Sequence, residues 1–346
     1  MCGIAGIFHT RDPNRFVHAA QIENMLSVIG HRGPDESGIY LDTNAGMGNV
    51  RLSIIDLVSG SQPLPVQNNR YWIVYNGELF NYPELRAELI RLGHSFQTSS
   101  DTEVVVLAYA QWGEECLKRF NGQFALSIWD SREKALFLAR DRTGIRPLFY
   151  TEKNGSFYYC SEVKGLFQQP EIDREISPSG LAQVFEFWTT LTPETPYKNI
   201  FELPPGHWMR ISQKERKIES YWDLEFPDKE SFSYVKTFDE SVELFRELFR
   251  DAVKIRLRAD VEVAAYLSGC IDSTVTTAFI HEIEPKVLNT FSIGFEENAF
   301  DESGYQKEAS AYFNTQHTAY SCSNSEIGEN FRNAVYFAEY PVLRTA

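Results

Sequence analysis

The sequence predicts an α+β first domain of strands and hairpins, followed by an α/β layer on a parallel sheet. Three observations predict this. Up to about residue 200 the apolar residues alternate with a period of two and are punctuated by turn dipeptides. From Phe238 onward the apolar period becomes helical and a β-loop-α pattern repeats. The length, 346 residues, exceeds one ordinary domain and suits two.

Taken in order, Val50, Leu52 and Ile54 alternate with Arg51 and Ser53 and predict a strand. Tyr71 to Tyr75 predicts another, running into the tight-turn dipeptide Asn76-Gly77. Pro83 suits a first helical position, Leu85 and Leu89 share one face, and Gly93 suits the C-terminal cap. Ser100 followed by Glu103 reads as a capping box opening a helix through Val106 and Ala110. Phe124, Leu126 and Ile128 alternate, and the turn from Ser131 to Lys134 leads into Ala135 to Ala139, a hairpin. Leu203 to Gly206 and the polar tract Ser212 to Glu219 read as a closing hairpin and linker.

Beyond the linker, Phe238 to Arg258 predicts an amphipathic helix with Val242, Phe245, Phe249 and Val253 along one side. Val261 to Leu267 is nearly unbroken apolar sequence, the pattern of a buried parallel strand. A short loop, Ser268 to Ser273, precedes a helix over Thr274 to Ile283. Strands over Val287 to Ile293 and Thr315 to Tyr320 alternate with helices over Glu302 to Phe313 and Ser325 to Glu339. The expected division is a first domain over 2–210, a linker over 211–237 and a second domain over 238–346. Three strands are few for such a layer, where sheets average about 5–6. The sequence therefore leads one to expect a second domain that is incomplete.

Composition excludes several classes. The net charge of −15 opposes a nucleic-acid platform or an anionic membrane surface, both of which need Lys/Arg patches. No apolar run approaches a membrane span. The N-terminus lacks the basic flank and long apolar core of a secretion signal. The five cysteines are odd in number and have no CxxC spacing, which predicts a reduced, cytoplasmic protein with neither a disulfide framework nor a zinc site.

The chemistry starts at Cys2. If Met1 is removed, Cys2 carries a free α-amine beside its thiol. An amine titrating near ~8 is a suitable base for a thiol near ~8.5. Gly3 would let a substrate approach the backbone closely. Asn76 and Gly77 offer an amide NH₂ and an unshielded backbone N–H for an oxyanion, although Asn-Gly is also an ordinary hairpin turn. Arg51 can pair with an α-carboxylate, or face outward from a half-exposed strand. Glu78 and Asp101 can hold an α-ammonium; equally, Asp101 can favour the positive end of a helix. Together these side chains describe a pocket for glutamine.

MCGIAGIF, HRGPDESG (31–38), VRLSIIDL (50–57), YNGELFNY (75–82), SSDTEVV (99–105), FNGQFALSIWD (120–130), ARDRTGIRPLFY (139–150) and LPPGH (203–207) together resemble the class II glutamine amidotransferases. Their order is similar to the glutaminase half of glutamine-hydrolysing asparagine synthetases. The resemblance covers residues 1 to 210. It implies an N-terminal-nucleophile αββα sandwich with Cys2 as the nucleophile. It also implies a glutamine pocket of Arg51, Leu52, Ile55, Asn76, Gly77, Glu78 and Asp101, in which Asn76 and Gly77 form the oxyanion hole.

The segment from Val261 to Thr274 places S-G-x-x-D-S between a strand and a helix. Backbone N–H groups at a helix N-terminus, with the Ser268 and Ser273 hydroxyls, make an anion cradle; in the plainer reading Ser268 is only a cap. No lysine is present, so Asp272 is the available hard ligand for Mg²⁺. The loop resembles the S-G-G-x-D-S loop of asparagine synthetases and other ATP pyrophosphatases. That implies ATP against Leu267, Ser268, Gly269, Asp272, Ser273 and Ile293, with Mg²⁺ at Asp272. Cys270 stands where the family has its second glycine, and no later S-G-E-G-x-D-E loop occurs before Ala346. If that position needs a positive φ, a side chain there costs about 1–2 kcal/mol.

The resemblance thus implies glutamine- and ATP-dependent amidation of aspartate by an apparently truncated chain, with glutamine, aspartate and ATP as partners. It leaves a homodimer open. The alternatives are a family member with a different acceptor, or a glutaminase carrying a non-functional synthetase remnant.

Overall fold

The structure, a computed structural model, describes residues 2–228, 237–297 and 301–341. Met1, residues 229–236 of the expected linker and the chain end over 342–346 lie outside the described residues. The chain forms two compact units: one runs to Glu225 and resumes at Ala338, and the other spans Phe226–Phe337.

The first unit carries β1 (Gly3–His9), β2 (Glu36–Leu41), β3 (Ala45–Arg51), β4 (Leu64–Val66), β5 (Tyr71–Leu79) and β6 (Gly122–Asp130). It continues with β7 (Ala135–Arg140), β8 (Phe149–Lys153), β9 (Ser156–Cys160), β10 (Phe201–Glu202), β11 (His207–Ile211) and β12 (Arg216–Ser220). Its helices are α1 (Ala19–Ser27), α2 (Tyr82–Arg91), α3 (Asp101–Trp112), α4 (Val163–Leu166) and α5 (Pro178–Phe187). The strands form two six-stranded sheets, ordered β10-β8-β9-β1-β3-β2 and β12-β11-β7-β6-β5-β4. Their paired strands run antiparallel.

Three buried cores show how the sheets stack. Ile4, Phe8 and Met47 of the first sheet meet Val74, Trp129 and Leu138 of the second. On the outer face of the second sheet, Ile73 and Leu126 pack on Leu85, Leu89 and Val104 of α2 and α3. On the outer face of the first, Ala5, Ile7 and Tyr158 pack on Ile22 and Met25 of α1 and Val163 of α4. The result is an α+β sandwich of four layers, α-β-β-α. Strand β1 is buried along its whole length because its alternate residues feed two cores. Each large side chain so buried contributes about 1.5–3 kcal/mol.

Several local expectations hold. Pro83 lies in the first turn of α2, Leu85 and Leu89 are buried, and Gly93 takes φ +95°. Others need correction. The strand expected over Val50–Ile54 stops at Arg51, because the Leu52 N–H turns to Cys2 and the Ser53 N–H donates to Asp35. Asn76-Gly77 is not a turn: β5 runs through it, with Asn76 opposite Ala125 and Gly77 opposite Phe124. Gly77 is needed for closeness, since a Cβ would sit 2.3 Å from the Gln123 carbonyl oxygen. Ser100 caps α3 through the Thr102 N–H, but Glu103 makes no capping box. Its carboxylate accepts from the Gln97 and Thr98 N–H groups instead. Part of the expected linker is the exposed edge strand β12, paired with β11.

The second unit contains α6 (Phe238–Arg256), β13 (Ala265–Tyr266), α7 (Ile271–Ile283), β14 (Asn289–Phe295), α8 (Ser303–Phe313), β15 (Gln316–Cys322) and α9 (Asn324–Ala338). Its three strands lie parallel in the order β13-β14-β15. The apolar run Val261–Leu267 yields only two paired residues, with Tyr266 exposed. Hydrophobicity alone does not make a strand buried; β13 has a neighbour on one side only among the described residues.

Candidate active site

Cys2 immediately precedes β1, the strand held between β9 and β3. Its thiol lies 3.6 Å from the Leu52 carbonyl oxygen, and the Leu52 N–H donates to the sulfur at 3.4 Å. Its own carbonyl accepts from Arg32 Nε at 3.0 Å. Burial pushes the thiol above its usual value, against the pull of the Leu52 backbone. A thiol so raised is mostly protonated at neutral pH and needs a base close by. Packing alone calls for glycine at Gly3, since a Cβ there would meet Ile29 and Val50 at 2.9 Å.

One cleft is lined by Cys2, Arg51, Leu52, Ile55, Asn76, Gly77, Glu78 and Asp101. The sandwich thus brings together every glutamine-pocket residue that the resemblance implies. Asn76 is fully buried in β5, and neither its Nδ2 nor its Oδ1 has a partner. An unpartnered buried amide costs about 1–3 kcal/mol, so the site carries hydrogen-bonding capacity that the fold leaves unused.

Arg51 is buried and does not face outward. Its NH2 donates to the carbonyls of Ile55 at 3.1 Å and Asp56 at 2.6 Å, and its NH1 faces Glu36 at 3.2 Å. It therefore shapes the loop after β3 as well as lining the cleft. Asp56 ties that loop to the start of α3 by accepting from the Ser99 N–H at 2.7 Å. Asp101, in the first turn of α3, accepts from the Leu79 N–H at 3.0 Å. Burial raises its carboxyl to about 6, outweighing that bond, and the charge of Glu78 adds to the rise.

Sequence reasoning gave no role to Arg32, Gln62 or Arg146. Gln62 and Arg146 line the cleft. Gln62 accepts from the Tyr75 N–H at 2.7 Å and donates to Thr102 at 3.2 Å, joining β5 to α3. Arg32 and Arg146 sit inside the quoted segments HRGPDESG and ARDRTGIRPLFY, the only signal that could have marked them.

In the second unit, Ser268 to Cys270 lead from β13 into α7, which starts at Ile271, three residues before the expected Thr274, so that Asp272 and Ser273 lie in its first turn. Gly269 takes φ +92° and Cys270 takes φ −75°, so the strain expected at Cys270 is absent and the left-handed residue is the glycine. The Ser268 and Ser273 hydroxyls lie 3.0 Å apart, and Gln306 binds the carbonyls of Ser268 and Ile293. Leu267 is buried, while Asp272, in the first turn of α7, is exposed. No cluster of three or more metal-ligating side chains occurs among the described residues.

A half-buried thiol just before a central strand thus shares one cleft with an unsatisfied buried amide and with acidic and basic side chains. The comparisons agree in class. Residues 1–222 match the glutamine amidotransferase domain, and the chain belongs to that family. Residues 244–346 match the asparagine synthase family. Glutamine-hydrolyzing asparagine synthetase 3 of Bacillus subtilis is 35% identical, over 99% of this chain and 57% of its own length. Asparagine synthetase 1 of the same organism is also 35% identical, over 100% and 54%. Amidase chyE of Penicillium rubens is 32% identical, over 93% and 49%. The chain spans about half the length of the curated relatives it matches.

Proposed function

We propose that the first unit hydrolyses glutamine at Cys2 and that the ammonia is used to amidate an ATP-activated carboxylate. The observation that carries this reading is the convergence of Cys2, Arg51, Asn76, Gly77, Glu78 and Asp101 on one cleft. Removal of Met1 frees the α-amine of Cys2. The remaining N–H groups of Arg51 hold the substrate carboxylate, and Glu78 with Asp101 holds its ammonium. The amine takes the thiol proton as sulfur attacks the amide carbon. Asn76 Nδ2 and the Gly77 N–H take up the charge on the carbonyl oxygen. The C–N bond breaks, the amine returns the proton to the leaving nitrogen, and a thioester remains. Water then attacks the thioester, and glutamate and the thiol are released.

In the second unit, the reading places ATP against Leu267, Ser268, Gly269, Asp272, Ser273 and Ile293. A left-handed glycine before a helix N-terminus suits a phosphate cradle. A single exposed carboxylate, Asp272, fits Mg²⁺, which is usually held by one or two carboxylates and the substrate phosphates. The ion would neutralise phosphate charge there. Aspartate is the favoured acceptor, with asparagine synthase activity and a cytoplasmic setting; the likeness to an amidase keeps a different acceptor as the second reading. No described helix is long and apolar enough to cross a membrane. Isotope exchange between pyrophosphate and ATP, measured with and without aspartate, tests this half. Exchange stimulated by another carboxylic acid and not by aspartate reassigns the acceptor.

The Asp101 carboxyl gives a pH signature. Holding an ammonium requires its ionised form. Glutamine affinity is therefore complete above about pH 6 and is lost as pH falls through that value. KM for glutamine should rise by about tenfold per pH unit below it. A KM that stays level down to pH 5 would remove Asp101 from the ammonium site.

A further inference from the structure

Glu339 stands 175 residues beyond Lys164, yet both belong to the first unit. Between Glu339 and the nucleophile runs a chain of buried charges. Arg32 Nε donates to the Cys2 carbonyl at 3.0 Å, and Arg32 NH1 pairs with Glu162 Oε1 at 2.8 Å. The other Glu162 oxygen takes Lys164 Nζ, which also lies 3.2 Å from Glu339 Oε1. The Glu339 carboxylate also accepts from the Val163 and Lys164 N–H groups at 2.7 and 2.6 Å. The four side chains are only 8%, 8%, 9% and 7% exposed. Their formal charges cancel, two cations against two anions, which is the condition for tolerating so much buried charge. His31 reaches the same Glu162 oxygen from the solvent side at 3.0 Å.

The segment bearing Glu339 is held firmly. Tyr197 donates its hydroxyl to the Glu339 carbonyl at 2.8 Å, and Tyr340 packs against the core under the first sheet. Glu339 adopts φ +59°, a left-handed conformation that costs a side-chain-bearing residue about 1–2 kcal/mol. The surrounding bonds over-determine that geometry.

We propose that Glu339 is a positioning residue of the glutamine site. It anchors Lys164, and through Glu162 and Arg32 it fixes the backbone of Cys2 and balances the charge beside its thiol. The nucleophile's placement thus depends on a segment that follows the whole second unit in the chain. The inference rests on Cys2 being the nucleophile.

The test uses the full chain and the variants Glu339→Gln and Lys164→Met. Each should lower kcat for glutamine hydrolysis about tenfold with KM within twofold, because a small displacement of a nucleophile costs rate more than binding. The double variant should lose less than the product of the two, since both act through one chain. Alkylation of Cys2 by iodoacetamide at pH 7, followed by mass spectrometry, separates this from a merely structural role. Glu339→Gln leaves the cluster one charge more positive and should speed alkylation about threefold. Lys164→Met leaves it one charge more negative and should slow it by a similar factor. Buried Cys116 should stay unmodified, which reports an intact fold. If Glu339→Gln exposes Cys116, the slowing in Lys164→Met decides alone. Rates within twofold of wild type, shifts in one direction for both variants, or multiplying losses overturn the proposal. A wild-type chain that does not hydrolyse glutamine removes the reading of Cys2, while the alkylation rates still decide whether Glu339 acts on it.

Discussion

A Cys2→Ala variant should lose glutamine hydrolysis by a factor on the order of 10³ or more while still binding glutamine. Deleting a nucleophile removes the covalent route altogether, whereas the groups that hold the substrate are untouched. Arg51, Glu78 and Asp101 lie on β3, β5 and α3, and the Cys2 thiol bonds the Leu52 backbone just beyond β3 rather than any of these three side chains. Calorimetry should therefore report glutamine affinity within a few-fold of wild type, and an ammonia-release assay should report almost nothing. Intact-mass measurement of the wild type supplies the companion result. The mass should lack methionine, because the base in this mechanism is the amine of Cys2 itself. Retained Met1, or turnover unchanged in Cys2→Ala, ends the assignment. The raised thiol makes the requirement sharper. A sulfur that burial keeps protonated gains most from a base attached to its own backbone.

Much of this site was legible before any coordinates. The motif segments marked the pocket residues, and the fold brings them to one cleft. Their local settings were not legible. Asn76-Gly77 has the wording of a hairpin turn, and only its pairing with Ala125 and Phe124, some 50 positions away, makes it strand. Turn propensity is local, whereas the place of β5 between β4 and β6 is decided by packing on both faces. Arg51 reads as the outward member of an alternating strand, yet the chain leaves the sheet there and its guanidinium holds the loop carbonyls. The alternation ends because Leu52 and Ser53 spend their N–H groups outside the ladder. The chain of Arg32, Glu162, Lys164 and Glu339 was hidden more deeply. Its members are charged residues scattered along the sequence, and charge in a sequence ordinarily signals solvent. Nothing in spacing shows that two cations and two anions will meet in a buried cluster.

The last large effect separates activity from stability. Asn76→Ala should lower kcat by about 10²–10³, the usual cost of removing one oxyanion donor. Ordinary buried substitutions of this kind also destabilise, because they leave a neighbour without its hydrogen bond. Asn76 differs, since neither of its amide atoms bonds to a neighbour. Truncation strands no partner and removes a buried polar group whose desolvation the fold does not offset. The midpoint of thermal unfolding should therefore stay level or rise as activity collapses. A residue kept for packing would give the reverse, with a lowered midpoint and little change in rate for the molecules still folded. The two measurements together decide which kind of residue Asn76 is. If the midpoint falls by several degrees and kcat changes less than threefold, the oxyanion role passes to Gly77 alone. The unsatisfied amide then needs another ligand. If kcat falls at a preserved midpoint, the unmet hydrogen bonds of Asn76 are those that the glutamine amide oxygen satisfies as it takes up charge.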